Sequence, residues 1–446
     1  MTKVKILGGL ARRTARWLVQ IYYPKIKFDG ADQIPKTGPV LLCGNHPNSL
    51  VDPILIGITS GRPVRFMAKA PLFKTPVLGS VMYGLGMIPT YRGSDDKKQV
   101  RRNLESLDSS IQFLVEGHAV GIFPEGKSHD AVQLEMVRSG VARIAVKAVD
   151  QGAIDLVVVP VGLNYGHKEQ FRSSVQVKVG QPLEINNWLK ENNEEGRKAI
   201  RSLTNEVEKR LKEVVVHLEQ PGWEPLLEDL VALVQTDSEE DPLRLRKQMA
   251  DAMNYFVASD RPRAEEVAGE IKLHRDAVSV FGLTLESPIL QSSGIRLFGK
   301  CASRILGTLL GLLPAILGLM FHLVPFVMVR FLASRVTPPG RTAVSMYRLL
   351  AGLPVYAAWY FAAVWCALWM NVPLWGTALS VLCLPFLGVI ALNYWPQVRH
   401  SAPQALRQFL ILLRRKDYKN LREHQTRLRS KLNSMAGEYA QRDRKD

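Results

Sequence analysis

The segment that decides the fold is the apolar run Val40-Leu41-Leu42-Cys43 followed by Gly44-Asn45-His46-Pro47-Asn48-Ser49-Leu50-Val51-Asp52. A buried strand, a polar loop and then a helix-compatible segment is the usual arrangement at strand ends in α/β enzymes. Imidazole can exchange a proton near neutral pH, and a nearby carboxylate can fix its tautomer. The segment therefore indicates His46 and Asp52 as an acid–base pair, although a loop histidine that only caps the next helix would fit the same residues.

Short apolar runs alternate with helical patterns around this segment. The predicted strands are 25–28, 40–43, 64–67, 87–89, 119–123, 156–161 and 175–179, and the predicted helices are 51–59, 76–85, 96–115 and 138–150. This alternation predicts an α/β domain over residues 25–185, with a mostly parallel sheet flanked by helices. Residues 186–300 are polar with helical periodicity, and they predict a helical subdomain in which we recognise no chemistry.

The C-terminal part has the composition of a membrane region. Residues 305–329 and 349–398 contain no Asp, Glu, Lys or Arg, and a bilayer crossing needs only about 20 apolar residues. We therefore predict an integral membrane protein with its membrane region at 301–398. Residues 349–370 and 372–394 predict a transmembrane hairpin with basic flanks, which places both ends in the cytoplasm (at the inner membrane if the protein is bacterial). Basic residues also flank 305–329, and Pro314 and Pro325 lie inside it, so a re-entrant segment is predicted there.

The charge distribution indicates the kind of partner. The formal net charge of +17 favours an anionic partner. Residues 1–24 predict a basic amphipathic helix at the membrane interface, with an ordinary helix packed on the domain as the alternative. Residues 399–446 predict a basic helical tail. Because much of the positive charge flanks membrane segments, membrane phospholipids are the expected partner and nucleic acid is not.

The cysteines give no sign of a metal site. Cys43, Cys301, Cys366 and Cys383 form no C-x-x-C pair and show no zinc spacing. We therefore predict reduced packing residues, no metal and no cofactor.

Three further stretches carry polar residues after apolar runs. Gly86-Met87-Ile88-Pro89-Thr90-Tyr91-Arg92-Gly93 ends in an arginine, whose planar fork suits phosphate binding. Gly121-Ile122-Phe123-Pro124-Glu125-Gly126-Lys127-Ser128-His129-Asp130 runs into a turn where a lysine and a serine could bind an anion. Val157-Val158-Val159-Pro160-Val161 leads into the polar turn Gly162-Leu163-Asn164-Tyr165. Taken singly, the arginine could be an ordinary surface residue, and the adjacent His129 and Asp130 favour a structural or substrate-binding role over proton transfer.

Taken together and in order, Asn-His-Pro-Asn-Ser-Leu-Val-Asp, Gly-Met-Ile-Pro-Thr-Tyr-Arg, Phe-Pro-Glu-Gly-Lys-Ser and Val-Pro-Val-Gly resemble the four blocks of the glycerolipid acyltransferase family. The resemblance covers about residues 25–185. It departs from the family in having five residues, not four, between His46 and Asp52. It also has Lys127-Ser128-His129-Asp130 where the family usually continues Thr-Arg. Both variants resemble the yeast-type glycerol-3-phosphate/dihydroxyacetone-phosphate acyltransferase branch.

The resemblance implies an O-acyltransferase of phospholipid synthesis. His46 would be the general base that takes the proton of the acceptor hydroxyl, and Asp52 would orient it. The implied donor is acyl-CoA or acyl carrier protein, and the implied acceptor is glycerol 3-phosphate, with 1-acylglycerol 3-phosphate (lysophosphatidate) or another lysophospholipid as the alternative. A non-catalytic lipid-binding scaffold would also fit the fold, but intact site residues count against it. The implied substrate-binding residues are Asn45, Lys69, Arg92, Glu125, Gly126, Lys127, Ser128 and Arg138.

Overall fold

The computed structural model describes residues 2–74, 78–91, 97–234, 241–291, 294–337, 339–413 and 415–442. The chain divides into two compact units. The first comprises Met1–Pro221 together with Thr337–Leu349, and the second comprises Gly222–Val336 together with Leu350–Asp446.

The first unit is built on one eight-stranded sheet. Its strands are β1 (Lys25–Asp29), β2 (Val40–Gly44), β3 (Val64–Lys69), β4 (Ile88–Thr90), β5 (Ala119–Ile122), β6 (Val157–Tyr165), β7 (Ser174–Val179) and β8 (Leu183–Glu184). The order is β1-β7-β6-β2-β5-β3-β4, with β8 beside β6. The β6–β7 and β6–β8 pairs are antiparallel and the other pairs are parallel. This confirms the predicted mostly parallel α/β fold, and the predicted strands are all present with small shifts at their ends.

Helices cover both faces of this sheet. They are α1 (Thr2–Tyr22), α2 (Val51–Ser60), α3 (Leu78–Gly84), α4 (Lys97–Val115), α5 (Gly140–Asp150), α6 (Ile185–Asn192) and α7 (Gly196–Val214). Side chains alternate along the central strand β2, so that Leu41 and Cys43 enter one core while Val40 and Leu42 enter the other. Because both faces are covered, β2 is apolar throughout.

The domain boundary predicted at residue 185 lies too early. Leu203, Val207 and Leu211 on α7 are almost fully buried in the same core as Leu41. The amphipathic pattern that suggested a separate helical subdomain instead supplies the last layer of the α/β unit, which continues to Pro221.

The N-terminal helix α1 joins the domain at its C-terminal end. Val19 and Tyr22, with the following Tyr23, are buried in the second core of the sheet. Trp17 and Ile21 on the same helix are exposed. The end of the helix is therefore packed as in the alternative interpretation, while the membrane-interface role of its exposed side stays a prediction.

The second unit is helical in all its regular elements within the described residues. Its helices are α8 (Glu224–Val234), α9 (Pro242–Ser259), α10 (Arg261–Val280), α11 (Pro288–Gln291), α12 (Gly294–Val336), α13 (Val344–Trp369, whose first turn belongs to the first unit), α14 (Leu374–Leu413) and α15 (Arg415–Arg442). Asp241 and Asp260 begin α9 and α10, and each side chain accepts a hydrogen bond from a main-chain N–H of the first turn. A proline in that turn reinforces both starts.

Among the described residues, three helices are long and apolar enough to cross a membrane: Leu306–Val336, Val344–Trp369 and Leu374–Arg399. The predicted re-entrant turn within 305–329 differs from the structure, because α12 passes through Pro314 and Pro325 as one continuous helix. An apolar helix satisfies its own backbone hydrogen bonds, and neighbouring groups can compensate for a proline.

Close packing in this region joins α12 to α14. Gly318 lies against the main chain of Leu387, and Gly311 lies against the ring of Tyr394, which defines an antiparallel pair. The two predicted spans, 349–370 and 372–394, correspond to α13 and α14. The helix that packs closely along α14 is α12. Glycines allow this approach because a side chain at Gly318 would overlap the Leu387 carbonyl.

Candidate active site

The candidate active site lies at the carboxyl ends of three adjacent strands. β2 lies between β5 and β6 and is parallel to both. Loop 45–50 follows β2, turn 123–130 follows β5, and Tyr165 is the last residue of β6. The parallel arrangement therefore brings the polar segments 44–52 and 121–130 to one edge of the sheet.

His46 and Asp52 form the pair that the sequence predicts. Nδ1 of His46 lies 2.8 Å from Oδ2 of Asp52, which is fully buried in the first turn of α2. Nε2 of His46 makes no hydrogen bond to any residue that the structure describes, and 19% of the side chain is exposed. We infer that Nδ1 carries the proton and donates it to the carboxylate, which leaves the Nε2 lone pair available to a ligand.

The loop between these residues accommodates the fifth intervening residue by a local turn. Ser49 has a positive φ of 44°, a backbone conformation that is uncommon for residues other than Gly, Asn or Asp. The main-chain N–H of Val51 donates to the carbonyl of Asn48 at 3.0 Å. The turn therefore brings Asp52 back to His46 despite the longer spacing.

Further hydrogen bonds hold the Asp52 carboxylate. The main-chain N–H of Asn48 donates to Oδ2 at 2.7 Å, and the hydroxyl of Tyr165 donates to Oδ1 at 2.6 Å. Burial, followed by the negative charge of Asp52, raises the pKa of Tyr165 well above its usual value. The phenol therefore keeps its proton and acts as a donor, and both carboxylate oxygens have a fixed partner.

The turn after β5 contacts His46 in two ways. The ring of Phe123 stacks on the imidazole, with centroids 4.1 Å apart and planes 11° from parallel. The main-chain N–H of His46 donates to Oε2 of Glu125 at 3.0 Å. Stacking fixes the plane of the imidazole, and the hydrogen bond fixes the backbone from which it projects.

Glu125 and His129 form a second buried pair beside the first. Nε2 of His129 lies 3.0 Å from Oε2 of Glu125, and Oε1 of Glu125 is buried without a hydrogen-bond partner among the described residues. Asp130 pairs instead with Lys168, at 2.8 Å. Burial by itself raises the pKa of Asp130, but the Lys168 hydrogen bond and the main-chain N–H of Arg341 outweigh it and lower that pKa. The adjacent His129 and Asp130 therefore face different partners.

Comparison with known proteins identifies the family of this region. The pattern described as Acyltransferase matches residues 25–164. Residues 25–164 are therefore similar to the acyltransferase family.

Two curated relatives carry related activities in their names. Glycerol-3-phosphate O-acyltransferase 1 of Saccharomyces cerevisiae is 29% identical over 180 residues, which cover 39% of this chain and 24% of that protein. The 1-acyl-sn-glycerol-3-phosphate acyltransferase of Borreliella burgdorferi is 30% identical over 131 residues, covering 29% of this chain and 49% of that protein. This chain therefore spans half or less of the length of these relatives.

One solved structure is also similar. The crystal structure of the acyltransferase PlsC from Thermotoga maritima, named for a 1-acyl-sn-glycerophosphate acceptor, has a TM-score of 0.35 at 21% identity. It covers 46% of this chain and 77% of that one.

The predicted substrate-binding residues of the acyltransferase domain have different surroundings in the structure. The guanidinium of Arg138 lies against Gly126, whose φ is +76°. Lys127 pairs with Glu135 at 3.1 Å. Lys69 is exposed at the end of β3, and Ser128 is half-buried. Arg92 lies outside the described residues.

Asn45 has a structural role in the acyltransferase domain. Its amide nitrogen donates to the carbonyl of Leu163 at 3.1 Å, and its amide oxygen accepts from the N–H of Leu163 at 2.7 Å. This pair extends the β2–β6 contact beyond the end of β2. The Asn45 side chain is therefore engaged by the main chain of β6, and its substrate contact stays a prediction.

Three residues that contact the His46–Asp52 pair were not predicted from the sequence. Tyr165 and Asn48 hold Asp52, and Phe123 stacks on His46. Tyr165 ends a strand that runs beside β2, so strand register would have indicated it once the sheet order was known. Asn48 donates through its backbone, which any residue type can do, so no sequence signal pointed to it.

Gly126 offers a test of the Arg138 contact. A Cβ at residue 126 would lie 3.2 Å from the guanidinium of Arg138, and the backbone is left-handed. Gly117 has nearly the same φ, +77°, but a Cβ there meets nothing within 4 Å. We expect Gly126→Ala and Gly117→Ala each to lower the free energy of unfolding by about 1–2 kcal/mol.

Activity should separate the two variants. Gly126→Ala should lower kcat/KM for the acceptor by about 10-fold, because it displaces Arg138, whereas Gly117→Ala should not. Thermal unfolding and initial rates measure both effects. Equal kcat/KM values in the two variants would remove Arg138 from the acceptor site.

Proposed function

We propose that this protein is a membrane-bound O-acyltransferase that moves a fatty acyl group from an acyl thioester to glycerol 3-phosphate. The observation that carries the proposal is the His46 ring, whose Nδ1 is held by buried Asp52 while Nε2 has no partner among the described residues. This is the arrangement that a general base needs in order to deprotonate a hydroxyl. The acyltransferase family of residues 25–164 supplies the reaction class.

The proposed reaction proceeds by direct attack. Nε2 of His46 takes the proton of the acceptor hydroxyl as its oxygen bonds to the thioester carbonyl carbon. The tetrahedral intermediate then breaks its carbon–sulfur bond, and the imidazolium returns the proton to the leaving sulfur. Asp52 stabilises the imidazolium between the two steps. No acyl-enzyme is required, because the acceptor itself is the nucleophile.

Cationic side chains around the pair support a phosphorylated acceptor. Arg138 at the Gly126 turn and Lys69 at the end of β3 are both exposed, and Arg suits bidentate phosphate binding. Glu125 would repel a phosphate. Its Oε1, which has no hydrogen-bond partner among the described residues, is better suited to accept a hydrogen bond from an acceptor hydroxyl. The acceptor would then be held by its phosphate at one end and by a hydroxyl near His46.

The choice of acceptor rests on the spacing of the first block and on the relatives. Five residues between His46 and Asp52, and Lys-Ser after Glu-Gly, favour the yeast-type branch and therefore glycerol 3-phosphate. Lysophosphatidate is the alternative acceptor, since relatives of both kinds match.

An assay with purified full-length protein tests the proposal. The protein, in phospholipid vesicles, is given labelled acyl-CoA or acyl carrier protein with glycerol 3-phosphate or 1-acylglycerol 3-phosphate. We expect acylation of glycerol 3-phosphate with the higher kcat/KM. Turnover of 1-acylglycerol 3-phosphate alone would favour the alternative, and turnover of neither would favour a lipid-binding scaffold.

We also propose that the active site faces the cytoplasm beside an integral membrane region, and cysteine labelling tests the orientation. Pro339 is exposed and belongs to the unit that carries the site. A membrane-impermeant maleimide should therefore label Pro339→Cys in sealed vesicles whose cytoplasmic face is outward. The background carries alanine at Cys301, Cys366 and Cys383, while buried Cys43 stays.

Labelling of Pro339→Cys only after the vesicles are permeabilised would overturn the orientation. Permeabilised vesicles, in which the cysteine should react in either orientation, serve as the control for reactivity.

A further inference from the structure

The segment that joins α12 to α13 belongs to the acyltransferase unit, although the chain on either side of it belongs to the second unit. Ser345, in the first turn of α13, is fully buried. Its hydroxyl donates to Oδ1 of Asn48 at 2.6 Å, across a sequence separation of 297 residues. A buried hydroxyl that donates to a buried amide oxygen indicates a specific contact between this segment and the loop that carries His46.

Asn48 connects Ser345 to the catalytic carboxylate. It is fully buried, and its amide nitrogen donates to the hydroxyl of Tyr23 at 2.8 Å. Its main-chain N–H donates to Asp52 at 2.7 Å. The side-chain amide is therefore held at both ends, and this fixes the main-chain N–H that points at Asp52.

Two more contacts hold the same segment near the site. The main-chain N–H of Arg341 donates to Oδ2 of Asp130 at 3.0 Å. The guanidinium of Arg348 donates to the carbonyl of Glu169 at 2.6 Å. The segment is thus bound to the loop after β2 and to the turn after β5, the two elements that carry His46 and Glu125.

We propose that Ser345 is a positioning residue for the His46–Asp52 pair, and that residues 337–349 complete the active site from outside the acyltransferase domain. This inference rests on the proposed role of His46. Without the Ser345 hydroxyl, Oδ1 of Asn48 would be buried and unpartnered, which a loop relieves by moving. Ser49 already has a left-handed backbone conformation, so loop 47–50 would change its conformation at this residue. Movement of Asn48 withdraws a hydrogen bond from Asp52 and loosens the carboxylate against the imidazole.

Ser345→Ala tests this role, with Ser259→Ala as the control. The Ser259 hydroxyl donates to the carbonyl of Tyr255 on an exposed part of α9. We expect Ser345→Ala to lower kcat by about 10-fold to 100-fold with little change in KM. A loosened carboxylate stabilises the imidazolium less, so the acid limb of the pH–rate profile should move to lower pH. A smaller amount of folded enzyme would lower the rate equally at every pH.

A second readout needs no substrate. Diethyl pyrocarbonate modifies neutral imidazole, and peptide mass spectrometry reports its rate at His46 as a function of pH. In Ser345→Ala the midpoint of this dependence should fall relative to wild type, and in Ser259→Ala it should not. The titratable groups around the pair are Tyr165 on β6, Tyr23 after α1, and Glu125 with His129 after β5, and all are unchanged in both variants.

The Asn48→Ala variant completes a double-mutant cycle. If Ser345 acts through Asn48, the double variant should be no slower than Asn48→Ala alone. An unchanged His46 modification midpoint in Ser345→Ala would overturn the inference whether or not the substrate is correct. Failure of wild type to acylate any acceptor would instead overturn the proposed function, and the modification midpoint would still decide the role of Ser345.

Discussion

His46→Ala should lower kcat by at least about 100-fold, the usual scale for loss of a general base. The variant retains the cations that we propose bind the acceptor and the stacking ring of Phe123, so KM for both substrates should change little. Initial rates with acyl thioester and glycerol 3-phosphate measure the effect. Because the imidazole lies partly exposed at the end of β2, its loss should leave the melting temperature close to that of wild type.

His118→Ala is the matched control. His118 precedes β5, at the opposite end of the strand from Glu125, and its ring lies near Glu116 on the surface. Its removal should leave kcat unchanged. If His46→Ala retained wild-type turnover, the proposed base and the mechanism built on it would be wrong.

Asp52→Asn should lower kcat by about 100-fold to 10,000-fold. An amide at residue 52 can donate to Nδ1, which would place the imidazole proton on Nε2, where the acceptor hydroxyl must lose its own. Loss of the negative charge also disfavours the imidazolium, so the acid limb of the pH–rate profile should move to lower pH. The profile of kcat/KM against pH measures both the loss and its direction.

Tyr165→Phe is the control that keeps the carboxylate. It removes the hydrogen bond to Oδ1 of Asp52 but leaves the Asp52–His46 contact. The free energy of unfolding should fall by about 1–3 kcal/mol, because a buried oxygen loses its donor. Its kcat should fall much less than that of Asp52→Asn. Equal losses in the two variants would mean that the position of the carboxylate matters and its charge does not.

Local sequence patterns predicted the elements of the acyltransferase domain. Strand 40–43 was visible because an apolar run bounded by Gly-Pro and Gly has few alternatives to a buried strand. The polar residues that follow parallel strands lie at one sheet edge, but only the strand order, with β5 beside β2, brings His46 and Glu125 together. The periodicity of α7 was equally visible, but it could not show which unit the helix packs on. An apolar stripe shows which face of a helix is buried and not which element covers it.

For the apolar helices, too, composition predicted the elements and the structure decided how they pack. Uncharged stretches identified 305–329 and 349–398 from composition alone. Basic flanks suggested that 305–329 turns back, whereas the structure has one continuous helix through both prolines. The antiparallel pairing of α12 with α14 depends on how glycines such as Gly318 meet the neighbouring backbone, and no local pattern specifies that.

What the sequence by itself determined is therefore the α/β fold, the apolar helices and the pairing of His46 with Asp52, since each follows from residues close together in the chain. Only the tertiary structure decided that Asp52 reaches His46 across five residues, and that Tyr165 and Asn48 hold it. The contact between Ser345 and Asn48 spans 297 residues. Hydrogen bonds between distant residues leave no periodicity in the sequence, because a single serine and a single asparagine suffice to form one.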